Sequence, residues 1–231
     1  TVIDIWAGVA DKDAEQAWHT DTLVNVFSCT KTFTAVAALQ LVAEGKLELD
    51  APVANYWPEF ATAGKQAVSV RQLLCHTAGL PALRALLSPE ALYDWPCMTA
   101  ALAAEQPWWT PGEGHGYAPI TYGWLVGELL RRIDGCGPGA SVVARTVQPL
   151  DLDFHIGLAD SEFARVAHVS RIKGDLGDAA AQRLLKCMFT EPTAMSTRAF
   201  TNPPSIMTST KKPEWRRMQR PAANGHGNAR S

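Results

Sequence analysis

The sequence predicts an α/β (α+β) fold, a domain that carries a helical part beside its strands. Two observations predict it. Short alternating strand patterns lie near the start and past the middle of the chain, and long helix-period segments fill the region between them. Composition agrees: 231 residues, 47% hydrophobic and 19% charged, are enough for a sizeable core in one domain or two small ones. The apolar fraction excludes a disordered chain. With only 17 Gly and 15 Pro, collagen-like and low-complexity classes are excluded too.

In chain order, Thr1 to Val9 alternates as a strand ending at Gly8, and Leu23 to Phe27 reads as a second short strand. From Thr30 to Glu44 the pattern is helical. Phe33, Val36, Ala37 and Leu41 share a face, and small or apolar residues fill most of the rest, which predicts a buried helix closed by Gly45. Asp50-Ala51-Pro52 reads as a turn into a short helix. Ser69-Val70-Arg71-Gln72 is a capping box opening a helix that stops near Gly79. Ser88-Pro89 marks another helix start, and Asp94 to Gln106 a further helix with a possible break at Pro96. Trp108 to Tyr117 is an irregular glycine-rich loop. Thr121 to Ile133 is a helix with Leu125, Val126, Leu129 and Leu130 inward, ended by Gly135. Ser141 to Val147 reads as a short helix, and Phe154 to Leu158 and Val166 to Val169 as strands. After about residue 190 the pattern dissolves into Pro, Thr, Ser and basic residues. No repeat or linker divides the chain, so residues 1–231 read as one domain.

Charge excludes some partners. Lys+Arg 21 against Asp+Glu 23 gives a net charge of -2, which offers no overall field for nucleic acid. Lys211, Lys212, Arg216, Arg217, Arg220 and Arg230 make a basic tail with Glu214 its one acidic residue, most simply a solvated face. No run of about 18 uncharged apolar residues exists, so no helical membrane span is expected. The chain lacks a charged-then-apolar leader. Its five cysteines are widely spaced with no C-x-x-C, which fits a reducing compartment, so the location is left open with a lean toward cytoplasmic. The six histidines form no H-x-x-x-H pair, so no metal site is expected. Oligomeric state is left open.

Three S-x-x-K matches occur, Ser28/Lys31, Ser170/Lys173 and Ser209/Lys212, where chance supplies about 0.3 to 0.4. Gly174 and Gly177 follow the second and Pro213 the third, so neither sits on a stable helix. Ser28 stands where a strand gives way to a long buried helix. Residues three apart on a helix share a face, about 5 to 6 Å apart at Cβ, so the Lys31 ammonium can reach the Ser28 hydroxyl. A serine hydroxyl needs an adjacent base to become a nucleophile, and a desolvated lysine gives up its proton more readily. The helix N-terminus adds free N–H groups where an oxyanion develops. The alternative is an ordinary N-cap serine with a surface lysine.

Asn25-Val26-Phe27-Ser28-Cys29-Thr30-Lys31 resembles the serine-lysine motif of the serine β-lactamase-related superfamily, and most nearly that of the family VIII carboxylesterases with a class C β-lactamase fold. Residues 45–56 (GKLELDAPVANY), 70–81 (VRQLLCHTAGLP) and 108–133 (WWTPGEGHGYAPITYGWLVGELLRRI) resemble further blocks of that family in the same order. The resemblance implies a β-lactamase/transpeptidase-like fold, a helical region packed beside an antiparallel sheet with the site between them. It also implies catalytic roles for Ser28, Lys31 and Tyr117. Tyr117-Ala118-Pro119 matches the family's Tyr-x-Asn motif with the tyrosine kept and the asparagine replaced by Pro119, as in many esterase-like members. A phenol acts as a base only beside a cation such as Lys31 that stabilises its anion. The alternative for Tyr117 is packing on Trp108 or Trp109.

The third motif, Lys/His-x-Gly, belongs on a strand flanking the serine. His226-Gly227-Asn228 matches it superficially, but no alternating strand is expected there. Ala223 to Ser231 instead resembles the family segment that enters a helix before that motif. The chain is thus expected to stop short of the following strands and the C-terminal helix, and to begin partway into the first strands. The implied chemistry is two-step acyl transfer on a small-molecule ester or amide, with short-chain esters favoured and no metal or organic cofactor. Ser28 attacks, Lys31 and Tyr117 relay its proton, and the Ser28 N–H helps to hold the oxyanion. A catalytically silent fragment or binding module on the same scaffold, or a penicillin-recognising peptidase or β-lactamase, are the alternatives. No G-x-S-x-G is present. Gly112-x-Gly114-x-Gly116 and Gly135-x-Gly137-x-Gly139 lack a nucleotide-site context and read as turns. Cys29 as a cysteine nucleophile needs a facing histidine, and the eight tryptophans read as core and pocket wall.

Overall fold

The long apolar stretch after Ser28 does become the organising helix. The computed structural model describes residues 5–169, 179–204, 213–218 and 224–228. Among these the strands are β1 (Val9–Asp11), β2 (Gln16–Ala17), β3 (Val24–Asn25), β4 (Phe154–Ile156) and β5 (Gly225–Gly227). The α-helices are α1 (Thr30–Ala43), α2 (Val70–Leu74), α3 (Trp95–Ala104), α4 (Tyr122–Asp134), α5 (Pro138–Val142), α6 (Ala179–Thr190), α7 (Met195–Thr201) and α8 (Pro213–Arg217).

Capping chemistry explains the boundaries. α1 ends where Gly45 takes φ +69, and the N–H groups of Gly45 and Lys46 return to Val42 and Leu41. At α2 the capping box is complete: the Ser69 hydroxyl accepts the Gln72 N–H and the Gln72 side chain accepts the Ser69 N–H. That helix stops at Leu74, five residues before Gly79, because His76 turns into the left-handed region at φ +58. Asp94 caps α3 through the Cys97 N–H at 2.9 Å, and Pro96 sits inside the first turn, where its missing N–H costs nothing, so it does not break the helix. The helix expected from Ser141 begins earlier, at Pro138, and ends in a wider π-type turn over Val143–Val147.

The helical layer packs around α4. Tyr122 through Leu130 are all buried, and they pack with Ala37, Ala38 and Leu41 of α1 and Met98 and Leu102 of α3 in one cluster. Each such apolar side chain contributes about 1.5–3 kcal/mol of transfer free energy. Glu128 is buried in the same helix and accepts hydrogen bonds from Trp95, Arg131 and Arg132, which is how a carboxylate survives there. α1 is not buried all round: Val36 is 41% and Leu39 50% exposed. Its buried first turn is polar (Thr30, Lys31, Thr34), and that turn carries the site.

The strands form a β1–β2 hairpin and an antiparallel sheet in the order β3-β5-β4, with Asn25, His226 and His155 in one row. Three expectations change here. Ile5 to Ala7 are not strand, and Thr1 to Asp4 lie outside the described residues. Val166 makes a single parallel bridge to Leu23 rather than a strand. Gly225–Gly227, where no strand was expected, is the middle strand of its sheet. Only three residues long and nearly side-chain-free at two of them, it shows no alternation and is held by its two neighbours. The stretch beyond residue 190 also holds α7 and α8. Of the basic tail, Arg216 is buried and Arg217 pairs with Asp160 at 2.7 Å, while Lys211, Lys212, Arg220 and Arg230 lie outside the described residues. So do Ser170/Lys173 and Ser209/Lys212. No helix among the described residues is long and apolar enough to cross a membrane.

Candidate active site

β3 runs into α1 through a tight turn at Phe27–Cys29. Phe27 has φ +45, an uncommon conformation for a bulky residue, so its surroundings must hold it there. They do so through β5. The Gly225 carbonyl accepts the Val26 N–H at 3.0 Å and the Asn25 side-chain amide at 2.9 Å. The Gly225 N–H donates to Thr30 Oγ1 at 3.0 Å, and Thr30 Oγ1 donates to the Phe27 carbonyl at 2.5 Å. Residues nearly 200 positions apart therefore fix the turn that presents Ser28 at the surface.

Ser28 Oγ receives two contacts. Lys31 Nζ donates to it at 3.1 Å, and the Tyr117 hydroxyl donates to it at 2.6 Å. Lys31 is only 8% exposed; its ammonium also donates to the Pro119 carbonyl at 3.0 Å and lies 5.1 Å from the Tyr117 ring centre and 5.8 Å from that of Tyr122. The ammonium is thus buried, with a backbone carbonyl, a hydroxyl and two ring faces around it, an arrangement that compensates its lost hydration. Tyr117 remains 44% exposed, so the meeting point of the three groups is open to solvent. The structure brings together all three side chains singled out in the sequence. Pro119, in place of an asparagine, contributes its carbonyl to Lys31.

The loop carrying Tyr117 is rich in glycine for steric reasons. A Cβ on Gly114 or Gly116 would stand 2.9 or 2.3 Å from the Trp109 indole, and one on Gly79 would stand 2.7 Å from the Trp109 carbonyl. The loop folds over its own tryptophan and is pinned to the segment after α2, with the Gly112 N–H on the Thr77 carbonyl and the Trp108 N–H on the Gly79 carbonyl. Gly112 lies in a turn, as expected, whereas Gly114 and Gly116 are packing devices outside any turn. Tyr117 itself rests against His76, at 5.0 Å between ring centres. His76, Thr30 and Gly225 were not singled out by sequence reasoning. His76 and Thr30 lie within quoted motif blocks, but nothing in their local pattern marks chemistry, and the part played by Gly225 exists only through β5.

Other arrangements are set aside on geometry. Cys29 is exposed, and no described histidine bonds its thiol. The His155–Asp153 pair, 3.0 Å apart, belongs to β4 and its neighbour Arg165. His226 is buried beside Asn25, Val166 and Arg216, and burial, which outweighs a hydrogen bond with the Asn224 backbone and is reinforced by the Arg216 charge, holds its pKa down at about 4. A cavity of about 1230 Å³ between Trp57, Trp95 and Trp124 includes none of the three site residues. Among the described residues, no group of three or more His, Cys, Asp or Glu could hold a metal ion.

The β-lactamase family model matches residues 1–231, and the chain belongs to that family. It is 35% identical over 188 residues to the esterase/β-lactamase LipL of Mycobacterium tuberculosis, an alignment covering 80% of this chain and 42% of LipL. A penicillin-binding protein homologue from Caulobacter crescentus superposes with a TM-score of 0.82 and 38% identity, over 96% of this chain and 56% of that one. A family VIII carboxylesterase gives a TM-score of 0.78 and 34% identity, over 96% and 57%. The fold is therefore penicillin-binding-protein and β-lactamase-like, and the chain spans about half the length of these relatives.

Proposed function

We propose that the chain carries the acylating centre of a serine hydrolase acting on short-chain esters. The observation that carries this reading is the three-way contact at Ser28 Oγ, with Lys31 Nζ at 3.1 Å and the Tyr117 hydroxyl at 2.6 Å. Ser28 Oγ attacks the ester carbonyl carbon. With the Lys31–Tyr117 pair one proton short of the form in which both groups donate to Ser28, it takes the serine proton and hands it to the departing alkoxide, which leaves as the alcohol. Water then attacks the same carbon and gives its proton to the pair; the bond to Ser28 Oγ breaks, the pair returns that proton to Oγ, and the carboxylic acid leaves. Lys31 keeps the oxygen of Tyr117 in a positive field throughout, and the start of α1 supplies positive potential for the oxyanion. The esterase names among the relatives support an ester substrate, and so does Pro119 in place of the asparagine.

The test combines turnover of p-nitrophenyl butyrate with labelling by a fluorophosphonate. Ser28→Ala is expected to abolish both, and Tyr117→Phe to slow acylation by about 10²- to 10⁴-fold. Equal labelling of the wild type and Ser28→Ala removes the serine assignment. Acylation by a fluorescent penicillin with no ester turnover favours a β-lactam substrate instead.

A further inference from the structure

We infer that His76 is a positioning residue: it clamps the backbone on both sides of Tyr117 and so aims the phenol at Ser28. This rests on the reading of Ser28, Lys31 and Tyr117 as the reacting groups. The His76 carbonyl accepts the Gly116 N–H at 3.1 Å, and its ring Nδ1 accepts the Ala118 N–H at 3.1 Å. One residue therefore holds the peptide before and the peptide after Tyr117. The same ring packs on the tyrosine at 5.0 Å and on Tyr122 of α4 at 4.9 Å. With its backbone tied at two points and its ring backed, the Tyr117 side chain has little freedom except toward Ser28 Oγ.

A second observation comes from the end of α2. The N–H groups of His76 and Thr77 return to the carbonyls of Leu73 and Gln72, the same closing pattern as at α1. The left-handed residue that ends α1 is Gly45, and at α4 it is Gly135, the residue type that adopts this conformation most cheaply. At α2 that place holds His76 at φ +58. A side chain is kept where glycine would be easier, and its imidazole is the part that reaches Ala118.

The clamp requires a neutral ring, because a protonated Nδ1 donates and repels the Ala118 N–H. The titratable groups facing His76 are Lys31 of α1, His115 and Tyr117 of the loop, Tyr122 of α4 and the adjacent Cys75. Burial first, then the Lys31 charge and then His115, keep the imidazole neutral down to about pH 4.

The test uses His76→Gly, His76→Asn and Ser28→Ala in the full chain, with kcat and KM for p-nitrophenyl butyrate, the rate of fluorophosphonate labelling, and thermal melting. Glycine relaxes the left-handed backbone and keeps the carbonyl, but it removes the ring. It is expected to melt within a few degrees of wild type while kcat and labelling fall on the order of 100-fold, with KM little changed. Asparagine tolerates the same backbone conformation and offers an oxygen to the Ala118 N–H, so it is expected to restore most of the lost rate. Wild-type kcat in a folded His76→Gly, or an asparagine variant no faster than the glycine one, overturns the clamp. Turnover that survives Ser28→Ala instead removes the underlying reading.

Discussion

Gly225→Ala tests whether β5 truly supports the serine turn. A Cβ at that position would stand 2.5 Å from Cζ and 3.1 Å from Cε2 of Phe154, and 2.7 Å from Thr30 Oγ1. Phe154 has no free space behind it, since its ring stacks on Phe33 at 3.9 Å. The ring must move by about 1 Å, and overpacking of that kind costs about 1–3 kcal/mol. A shift of Thr30 also weakens its bond from the Gly225 N–H, another ~1 kcal/mol. The expected loss is about 2–4 kcal/mol, measured by urea denaturation, together with slower labelling of Ser28 because Thr30 holds the Phe27 carbonyl. Phe154→Leu removes the colliding ring atoms. The double variant should therefore be more stable than the two single losses imply, by at least ~1 kcal/mol. A Gly225→Ala protein within about 0.5 kcal/mol of wild type, or strict additivity, refutes the placement of β5 against the turn.

Two further outcomes follow from buried ionisable groups. His226 is held at about 4 in the folded protein, against about 6.5 when unfolded, so the unfolded chain binds its proton first. Stability present above pH 6.5 is lost as pH falls toward 4, by about 3 kcal/mol at most; His226→Gln should flatten that slope in urea titrations, and an unchanged slope contradicts the burial. At Glu128 burial pushes the carboxyl up, but hydrogen bonds from Arg131, Trp95 and Arg132 outweigh it and hold it below the usual range. Its contribution is thus present above the unfolded carboxylate pKa and lost as pH falls through the lower folded one. Glu128→Ala removes the acceptor of the Trp95 and Arg131 side chains, while Arg132 keeps Glu59 at 2.9 Å, and should cost about 1–3 kcal/mol in thermal or urea unfolding; a wild-type melting curve would show that the cluster contributes nothing.

Local rules accounted for what repeats locally. The extents of the helices at Thr30 to Glu44 and Thr121 to Ile133, the Ser69 box and the stops at Gly45 and Gly135 each depend on neighbours within one or two turns and stand where expected, whereas the stop expected near Gly79 comes earlier, at His76. The pairing of Ser28 with Lys31 belongs to the same class, because helix geometry alone brings residues three apart together. Expectations failed where distant chain decides. The possible break at Pro96 failed instead for a local reason, since Asp94 two residues earlier caps the helix and puts the proline in its first turn. Gly225-His226-Gly227 becomes a strand only because Val24–Asn25 and Phe154–Ile156 offer it two edges.

By itself, then, the sequence determined the helix that bears Ser28 and Lys31 and the loop that bears Tyr117. Tertiary structure alone decided that the phenol lies 2.6 Å from the serine oxygen, that Pro119 lends its carbonyl to the lysine, and that His76 and Gly225 brace the two sides of the centre. The physical reason is range. Helix and turn preferences act over a few residues, whereas a hydrogen bond between residues 88 or 195 positions apart exists only after the core has closed around it.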